Sequence, residues 1–455
     1  MRAGVGSIDI TPSPGAYLAG FGNRDAIFTD IHDPVTVRAL VVEDAIGDRS
    51  ALIVLDLLAL DFDQVREIQA AVAAATGITV ASTIVTTTHT HSGPACLPDR
   101  LGVDASPSYL AELVTKTVSA VEVALRTLRP AELIGAIGHE ASVGKNRRVI
   151  DGPTDPELPV VVIRDPESLE VFGVFCSYAC HPVVLGPKNL LISADYPAVV
   201  RTTIEAKYPG ALAIFATGCA GQINTGHRAG DAPGAAAERR TFAEAERLGK
   251  LLATAALSAV TEPLSQKSVS GDLDSISFTR EEVALPRLGR ASAAEIESLR
   301  STWLSEQGET DPSNSGQLNL LRIQLEWAST QAQVDPARAV PDLLASVTAL
   351  RWGNIVIVGL PGEPFVEFGL SIKAAIETFS TTNSGDGRPS VTGVVLGYAN
   401  GCVGYVPHRS AYAEGGYEVS DAHRFYNEPS AFAPEAGERL VDAAIRSVEQ
   451  VMGAV

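Results

Sequence analysis

The chain has 455 residues, of which 45% are hydrophobic and 20% are charged, and its formal net charge is −19. A strongly acidic surface repels phosphate groups, so we expect neither nucleic acid nor an anionic membrane surface as a partner. The N-terminus lacks the apolar run of a secretory signal, and no apolar stretch approaches the ~20 residues that cross a bilayer. These features predict a cytoplasmic protein without stable membrane association, and they leave a homo-oligomer open.

Apolar strands and amphipathic helices alternate through the first 260 residues. The runs "SALIVLDLLAL", "STIVTTTHT", "VFGVFCSYACHP" and "ALAIFATGCAG" predict strands, whereas "DFDQVREIQAAVAAATG" and "SYLAELVTKTVSAVEVALRTL" predict helices. This alternation is typical of an α/β fold with a mixed, largely parallel sheet covered by helices. Ligand sites in such folds lie at the strand ends and in the loops beyond them.

The stretch from about 265 to 345 is more polar and breaks this pattern. It predicts an extended strand pair followed by two helices, "ASAAEIESLRSTWLSEQG" and "LNLLRIQLEWAST". The strand–helix pattern returns with "NIVIVGLPGEP" and "VTGVVLGYANGCVGYVP". We therefore predict one domain over residues 1–455, with an inserted α+β subdomain at about 265–345.

Polar side chains with metal-binding chemistry follow three of the predicted strands. His89 and His91 are two residues apart in an extended stretch, so their side chains project to the same face. His181 ends a second apolar run, and Glu363 follows a third in a Pro-Gly-Glu-Pro turn. Each residue alone is compatible with a rim or core position. Together, three imidazoles and a carboxylate at strand ends favour a zinc site.

Several segments resemble the neutral, non-lysosomal ceramidase family, specifically its N-terminal catalytic domain. They run in the family's order over nearly the whole chain: "AGVGSIDITP", "DIHDPVTVRALVVED", "TTTHTHSGP", "GKNRR", "CHPVVLG", "SADYP", "LPGEP" and "YANGCVGYVPHRSAY". The combination of "THTHSGP" with the later "PGE" and the tyrosine-rich segment is specific, although each piece alone is weak. Because the sequence ends in a helical pattern, we expect no counterpart of the family's C-terminal immunoglobulin-like domain.

The resemblance implies a catalytic zinc site with defined roles. The family's Zn²⁺ ligands fall on His89, His181, Glu363 and Tyr405. His91 corresponds to a histidine beside the metal that handles protons. Two further catalytic positions face the substrate in the family. Arg147, or its equally basic neighbour Arg148, corresponds to an arginine at the scissile carbonyl, and Tyr417 corresponds to a pocket tyrosine.

One departure from the family lies in "ATGCAGQINTG", where the family carries a serine at the reaction centre. That position becomes Asn224, whose amide cannot act as a nucleophile but can donate a hydrogen bond. Cys219 in the same segment is an alternative nucleophile, although buried cysteines are usually inert. Asp195 and His32 are candidates for fixing the ligands, and structural roles fit both equally well.

The function that these features predict is a zinc-dependent amidohydrolase. Metal-activated water would cleave the C–N bond of a small, soluble amide substrate. Two catalytic alternatives stay open: a zinc-dependent lyase or isomerase, and a ceramidase-like N-acyl amidase that acts on a lipid. A homologue that binds a ligand without turnover is the remaining alternative.

Overall fold

Three mixed β-sheets with helices packed against them organise the described part of the chain. The structure is a computed structural model, and it describes residues 1–455 apart from positions 25, 99, 228–238, 266–274, 336, 384–390, 403 and 454–455. The first sheet has the spatial order β5 (Thr83–Thr87), β4 (Arg49–Leu55), β3 (Thr36–Glu43), β1 (Arg2–Asp9) and β6 (Arg129–Pro130).

The other strands form two four-stranded sheets and three short pairs. The second sheet has the order β12 (Leu212–Thr217), β10 (Val171–Tyr178), β9 (Glu157–Arg164) and β7 (Glu132–His139). The third has the order β14 (Ile276–Leu285), β15 (Leu343–Trp352), β16 (Ile355–Gly359) and β18 (Thr392–Leu396). The short pairs are β2 (Asp30–Ile31) with β11 (Leu191–Ile192), β8 (Lys145–Asn146) with β13 (Ile223–Asn224), and β17 (Glu363–Pro364) with β19 (Tyr405–Val406).

The helices begin and end at residues whose chemistry explains the boundaries. The first helix starts with a capping box, in which Asp61 accepts from the backbone of Gln64 and the Gln64 side chain accepts in return. It ends at Gly77, whose left-handed φ of 75° suits glycine. The helices are α1 (Phe62–Thr76), α2 (Pro107–Arg126), α3 (Tyr196–Lys207), α4 (Phe242–Ala259), α5 (Thr261–Ser265), α6 (Ala293–Glu309), α7 (Ser315–Ala332), α8 (Val366–Asn383), α9 (Ala422–Phe425) and α10 (Glu435–Gly453).

The predicted mixed α/β class is confirmed, whereas the prediction that the strands pair largely in parallel is wrong. Each of the three sheets contains one parallel pair, and its other pairings are antiparallel rather than parallel. The parallel pairs are β4–β5, β10–β12 and β16–β18, whose crossovers contain α1, α3 and α8. The antiparallel majority has a local cause, because short turns such as residues 44–48 join neighbouring strands as hairpins.

The three sheets share one apolar core and are tied together where their parallel strands end. Leu52, Phe175 and Ile357 represent the three sheets in a single buried cluster. The Thr217 hydroxyl donates to Thr88 O at 2.6 Å, which joins the second sheet to the first. The Thr86 hydroxyl donates to Gly397 O at 2.9 Å, which joins the first sheet to the third. Residues that follow these strands are therefore brought to one place.

The predicted insertion contains the two helices that the sequence indicated. Helices α6 and α7 pack around their own apolar cluster, whose largest members are Trp303 and Trp327. Strand β14 pairs with β15 of the third sheet over its whole length, whereas the predicted extended residues 266–274 lie outside the described part. Helix α7 meets the rest of the fold through Asn319, whose side chain donates to Gly22 O at 2.8 Å. The division into domain and subdomain stays a prediction. No helix within the described residues is long and apolar enough to cross a membrane.

A buried ion pair at the end of β4 stabilises this arrangement. The Asp56 carboxylate accepts from Arg201 at 2.6 Å and from the backbone and hydroxyl of Thr36 at 2.9 Å. Burial disfavours the ionised carboxyl, but the charge and hydrogen bond of Arg201 outweigh burial and lower the pKa of Asp56. The ionised pair therefore belongs to the folded state.

Asp56→Asn should lower the free energy of unfolding by about 3–5 kcal/mol at neutral pH, because Arg201 would stay buried without its counter-charge. The pair's contribution is present above the carboxyl's unfolded pKa of roughly 3.9 and is lost as the pH falls through the lower folded value. Urea unfolding of wild type and Asp56→Asn should show a difference in the free energy of unfolding that decreases as the pH falls below the unfolded pKa of the carboxyl. Glu67→Gln, on an exposed position of α1, is the control. Equal stability of Asp56→Asn and wild type at neutral pH would refute this account.

Candidate metal centre

Two buried imidazoles, one partly buried imidazole and a buried carboxylate meet at the ends of the parallel strands. His89 and His91 follow β5, His181 follows β10, and Glu363 follows β16. Nε2 of His89 and Nε2 of His181 lie 3.3 and 3.2 Å from Oε2 of Glu363. Nε2 of His91 lies 3.3 Å from Nε2 of His89. The structure thus brings together all four strand-end residues that the sequence singled out.

The outer nitrogens of two imidazoles are fixed by backbone carbonyls. Nδ1 of His89 donates to Leu58 O at 2.7 Å, and Nδ1 of His181 donates to Ala220 O at 2.7 Å. A carbonyl can only accept, so the proton is on Nδ1 and each Nε2 directs a lone pair toward Glu363. Two lone pairs and a carboxylate at this spacing repel one another unless a cation lies between them. The donor set of imidazole nitrogens and a carboxylate oxygen fits zinc.

Ionisation in the centre also favours metal binding. Burial lowers the pKa of His181 to about 4, so its imidazole is neutral at neutral pH and keeps its lone pair. His181 therefore presents a neutral nitrogen to the buried Glu363 carboxyl group.

His91 differs from the other two histidines in its surroundings. Among the described residues, its Nδ1 has no hydrogen-bond partner, and its ring borders the cavity in front of the centre. The three histidines still offer nitrogen atoms within 4.8 Å of one another, so they form a group that could hold an ion. The geometry is therefore compatible with His91 either as the proton carrier or as a metal ligand.

The backbone is strained where it carries the centre. His89 has a φ of 62°, and Tyr398, which stacks on the His89 ring at 4.1 Å, has a φ of 54°. Such left-handed conformations are costly for residues with a Cβ and occur mainly where the surrounding structure enforces them. The strain places the His89 ring against the carboxylate.

Tyr405, the ligand implied by the family resemblance, lies beside Glu363 on the paired strands β17 and β19. Its ring centroid is 6.4 Å from that of His181 and 5.8 Å from that of Tyr417. Its phenol is at the boundary between the centre and the cavity. Its role as a ligand stays a prediction.

Tyr426 is a member of the site that the sequence reasoning missed. It is buried, and its hydroxyl donates to Oε1 of Glu363 at 2.5 Å, which leaves Oε2 for the histidine side. It follows the short helix α9, and no motif or spacing marked it. Glu418, whose carboxylate accepts from Arg147 and Arg148, was not predicted either, because no motif or spacing marked it.

A cavity of about 690 Å³ lies in front of the centre. The predicted catalytic residues and the implied tyrosine ligand meet at its wall: His91, Arg147, Asn224, Tyr405 and Tyr417. The lining also contains the apolar side chains of Phe21, Leu101, Val183, Leu320 and Phe425. Leu320 belongs to α7, so the predicted insertion forms part of the wall.

Arg147 and Arg148 both face the cavity, so the alternative between them is not decided by exposure. Each donates to one oxygen of the Glu418 carboxylate at 2.7 Å. Arg147 also donates to Gly221 O at 2.8 Å, and its guanidinium lies 5.4 Å from the centre of the Tyr405 ring. Of the two arginines, Arg147 is therefore the one whose guanidinium lies against Tyr405.

Asn224 and Cys219 have different surroundings. The Asn224 amide donates to His227 O at 2.6 Å and accepts from Gly226 N at 2.8 Å, so it shapes its own turn at the cavity wall. Cys219 is buried beside Gly369 of α8. Burial raises the pKa of its thiol, which disfavours the nucleophilic thiolate.

The two candidates for fixing the ligands lie in structural positions. Asp195 caps α3 and accepts from Leu185 N at 2.9 Å and Tyr196 N at 2.6 Å. Its own φ is 60°. The His32 side chain is 48% exposed and stacks on Phe242 at 3.7 Å. The described contacts of both side chains are with residues outside the metal centre.

Fold and site together define a mixed α/β protein with a candidate metal centre behind a substrate-sized cavity. A sequence profile described as "Neutral/alkaline non-lysosomal ceramidase, N-terminal" matches residues 1–218. A neutral ceramidase of Mycobacterium tuberculosis is 25% identical over 92% of this chain and 73% of that protein. The predicted resemblance to the neutral/alkaline ceramidases is confirmed.

Solved structures show the same fold. The crystal structure of neutral ceramidase from Pseudomonas aeruginosa matches all of this chain and 75% of its own, with a TM-score of 0.73 and 19% identity. A structure described as ceramidase complexed with C2 matches with the same coverage, TM-score and identity. At this identity the likeness establishes the fold alone.

Purified protein should contain about one zinc per chain, because three or four nitrogen and oxygen ligands make a catalytic zinc site. His89→Ala and His181→Ala should each lose most of the metal, measured by elemental analysis after gel filtration. His32→Ala should keep it, because that side chain lies on Phe242 outside the centre. Full occupancy in both site variants would mean that the metal binds elsewhere.

Proposed function

We propose that this protein is a zinc-dependent amidohydrolase that cleaves the C–N bond of a small N-acyl substrate. The observation that carries the proposal is the convergence of His89, His181 and Glu363 within 3.3 Å behind a cavity bordered by His91 and Arg147. The resemblance to a family of amide-bond hydrolases supports the reaction class. When bound, zinc would supply Lewis acidity that activates water and polarises a carbonyl.

The residues at the cavity wall would perform the remaining tasks. Arg147 is fixed by Glu418 and Gly221 O, so its guanidinium can stabilise negative charge that develops on the substrate's carbonyl oxygen. His91 borders the cavity with an Nδ1 that has no partner among the described residues, so its ring can take the proton from water and pass it to the leaving nitrogen. The products would be a carboxylic acid and an amine.

The cavity supports a substrate of moderate size. A volume of about 690 Å³ lies in the range of sites for small molecules. The apolar side chains Leu101, Leu320 and Phe425 favour an acyl chain, and Tyr417 at the mouth would orient the substrate. Because the similar proteins are named as ceramidases, a lipid amide stays the alternative substrate.

A lyase or isomerase would use the same centre as a Lewis acid without consuming water. Isotopically labelled water separates the two classes. Hydrolysis places one solvent oxygen in the acid product, whereas isomerisation places none there. Bound zinc without turnover of a broad amide panel would favour the non-catalytic alternative.

His91→Ala should keep zinc and lose turnover by roughly 10²–10⁴-fold, the usual contribution of a general acid–base residue. The assay is hydrolysis of an amide selected from an N-acyl panel, measured beside zinc content. Cys219→Ala is the matched control and should keep both zinc and rate, because a packing cysteine contributes volume rather than chemistry.

Two results would contradict these assignments. Loss of zinc in His91→Ala, equal to the loss in His89→Ala, would make His91 a ligand. An inactive Cys219→Ala with intact zinc would indicate catalysis through the thiol.

A further inference from the structure

Tyr426 is held at the end of helix α9 by a turn that the local sequence, "HRFYNEP", explains. Glu428 N donates to His423 O at 2.8 Å, and Asn427 N donates to Arg424 O at 3.2 Å. Asn427 has a left-handed φ of 52°. These two bonds make a Schellman motif, in which asparagine is one of the residues that suit the left-handed position. The motif ends the helix at Tyr426 and fixes the direction of its backbone.

The turn that carries Tyr426 is supported from two sides. Nε of Arg100 donates to Tyr426 O at 3.1 Å, and the same guanidinium pairs with Asp61, the cap of helix α1, at 3.0 Å. On the other side, Nε1 of Trp327 in helix α7 donates to Glu428 O at 2.8 Å. The position of the tyrosine is therefore set by the fold and not only by its own contact with the metal centre.

Gly404 brings the Tyr426 ring and the backbone of Glu363 together. Its carbonyl accepts from Glu363 N at 2.9 Å. Its φ is 115°, and a Cβ at this position would lie 3.2 Å from Cδ2 of the Tyr426 ring. A side chain here would crowd the ring and strain the backbone, so the close approach depends on glycine. Tyr426 is only 3% exposed.

The two oxygens of the Glu363 carboxylate have different partners. The Tyr426 hydroxyl donates to Oε1 at 2.5 Å. Oε2 lies 3.3 Å from Nε2 of His89 and 3.2 Å from Nε2 of His181. A metal-bound carboxylate is ionised and can only accept, and hydrogen bonds from a hydroxyl to such an oxygen are short and strong. One oxygen is therefore bonded to a phenol, whereas the other faces the imidazoles.

We propose that Tyr426 is a positioning residue that makes Glu363 bind zinc through Oε2 alone. The proposal rests on the proposed function, because it uses the zinc centre of that function. A carboxylate that binds through both oxygens occupies two positions around the ion, whereas binding through one oxygen occupies a single position. Catalytic zinc sites keep a position for water or substrate. The hydrogen bond to Oε1 thus keeps open the position that hydrolysis requires.

Crystal structures of zinc-loaded wild type and Tyr426→Phe test the proposal at the carboxylate itself. In wild type, Oε2 alone should lie at about 2.0–2.2 Å from zinc, with Oε1 on the Tyr426 hydroxyl. In Tyr426→Phe, Oε1 loses its donor and should turn toward the ion, so that both oxygens of Glu363 approach it. The wild-type structure tests the proposal even where the variant fails to fold.

Zinc affinity measures how much the positioning contributes. Competition with a chromogenic chelator should show about 10–100-fold weaker binding by Tyr426→Phe, the usual effect of removing a hydrogen-bond partner of a metal ligand. Tyr412→Phe is the matched control, because it also loses a phenol that donates a hydrogen bond, here to Phe432 O at 2.9 Å outside the centre. Its zinc affinity should equal that of wild type. Circular dichroism of the metal-free proteins checks that both variants are folded.

Zinc bound by both oxygens of Glu363 in wild type would overturn the positioning role and leave the proposed function intact. A Tyr426→Phe structure in which Oε2 alone still binds would have the same meaning, whatever the zinc affinity of the variant. Zinc at this centre without hydrolysis of any amide would refute the proposed reaction and leave the positioning role intact. Wild type that binds no zinc would refute both.

Discussion

A carboxylate with no solvent exposure, held against two imidazole lone pairs, is the constraint on which the site depends. Glu363 is 0% exposed, and desolvating such a charge costs several kcal/mol unless an opposite charge compensates. The Tyr426 hydroxyl donates a hydrogen bond to Oε1 of Glu363, while His89 and His181 lie against Oε2. The folded chain therefore holds these groups in position for a cation before a cation binds.

The architecture explains how residues far apart in sequence satisfy this constraint. Each sheet contributes one crossover unit, and the parallel strands of these units end near one another. Hydroxyl-to-carbonyl bonds from Thr86 and Thr217 lock the three sheets together at those ends. Because the outer imidazole nitrogens donate to backbone carbonyls, movement of any one sheet would rotate a ring away from the carboxylate. Precision at the centre thus depends on the register of the sheets.

Much of this centre could be predicted because a polar side chain directly after a buried strand can occupy few positions other than the end of the sheet. That argument found His89, His91, His181 and Glu363, whereas Tyr405 came only from the resemblance to a family. Tyr426 was not predicted, because its partner Glu363 is distant in sequence and their contact leaves no pattern. The strand directions also escaped prediction in part, since direction depends on the length of each connection rather than on hydrophobic runs.

Anomalous diffraction at the zinc absorption edge, from crystals of the protein grown without added metal, tests the central claim most directly. The account predicts one strong peak at about 2.0–2.2 Å from Nε2 of His89, Nε2 of His181 and an oxygen of Glu363, the distances at which zinc binds nitrogen and oxygen. The same map would show whether Tyr405 or His91 completes the ligand set. A peak elsewhere, or a well-ordered centre without a peak after the crystals are soaked in zinc, would contradict it.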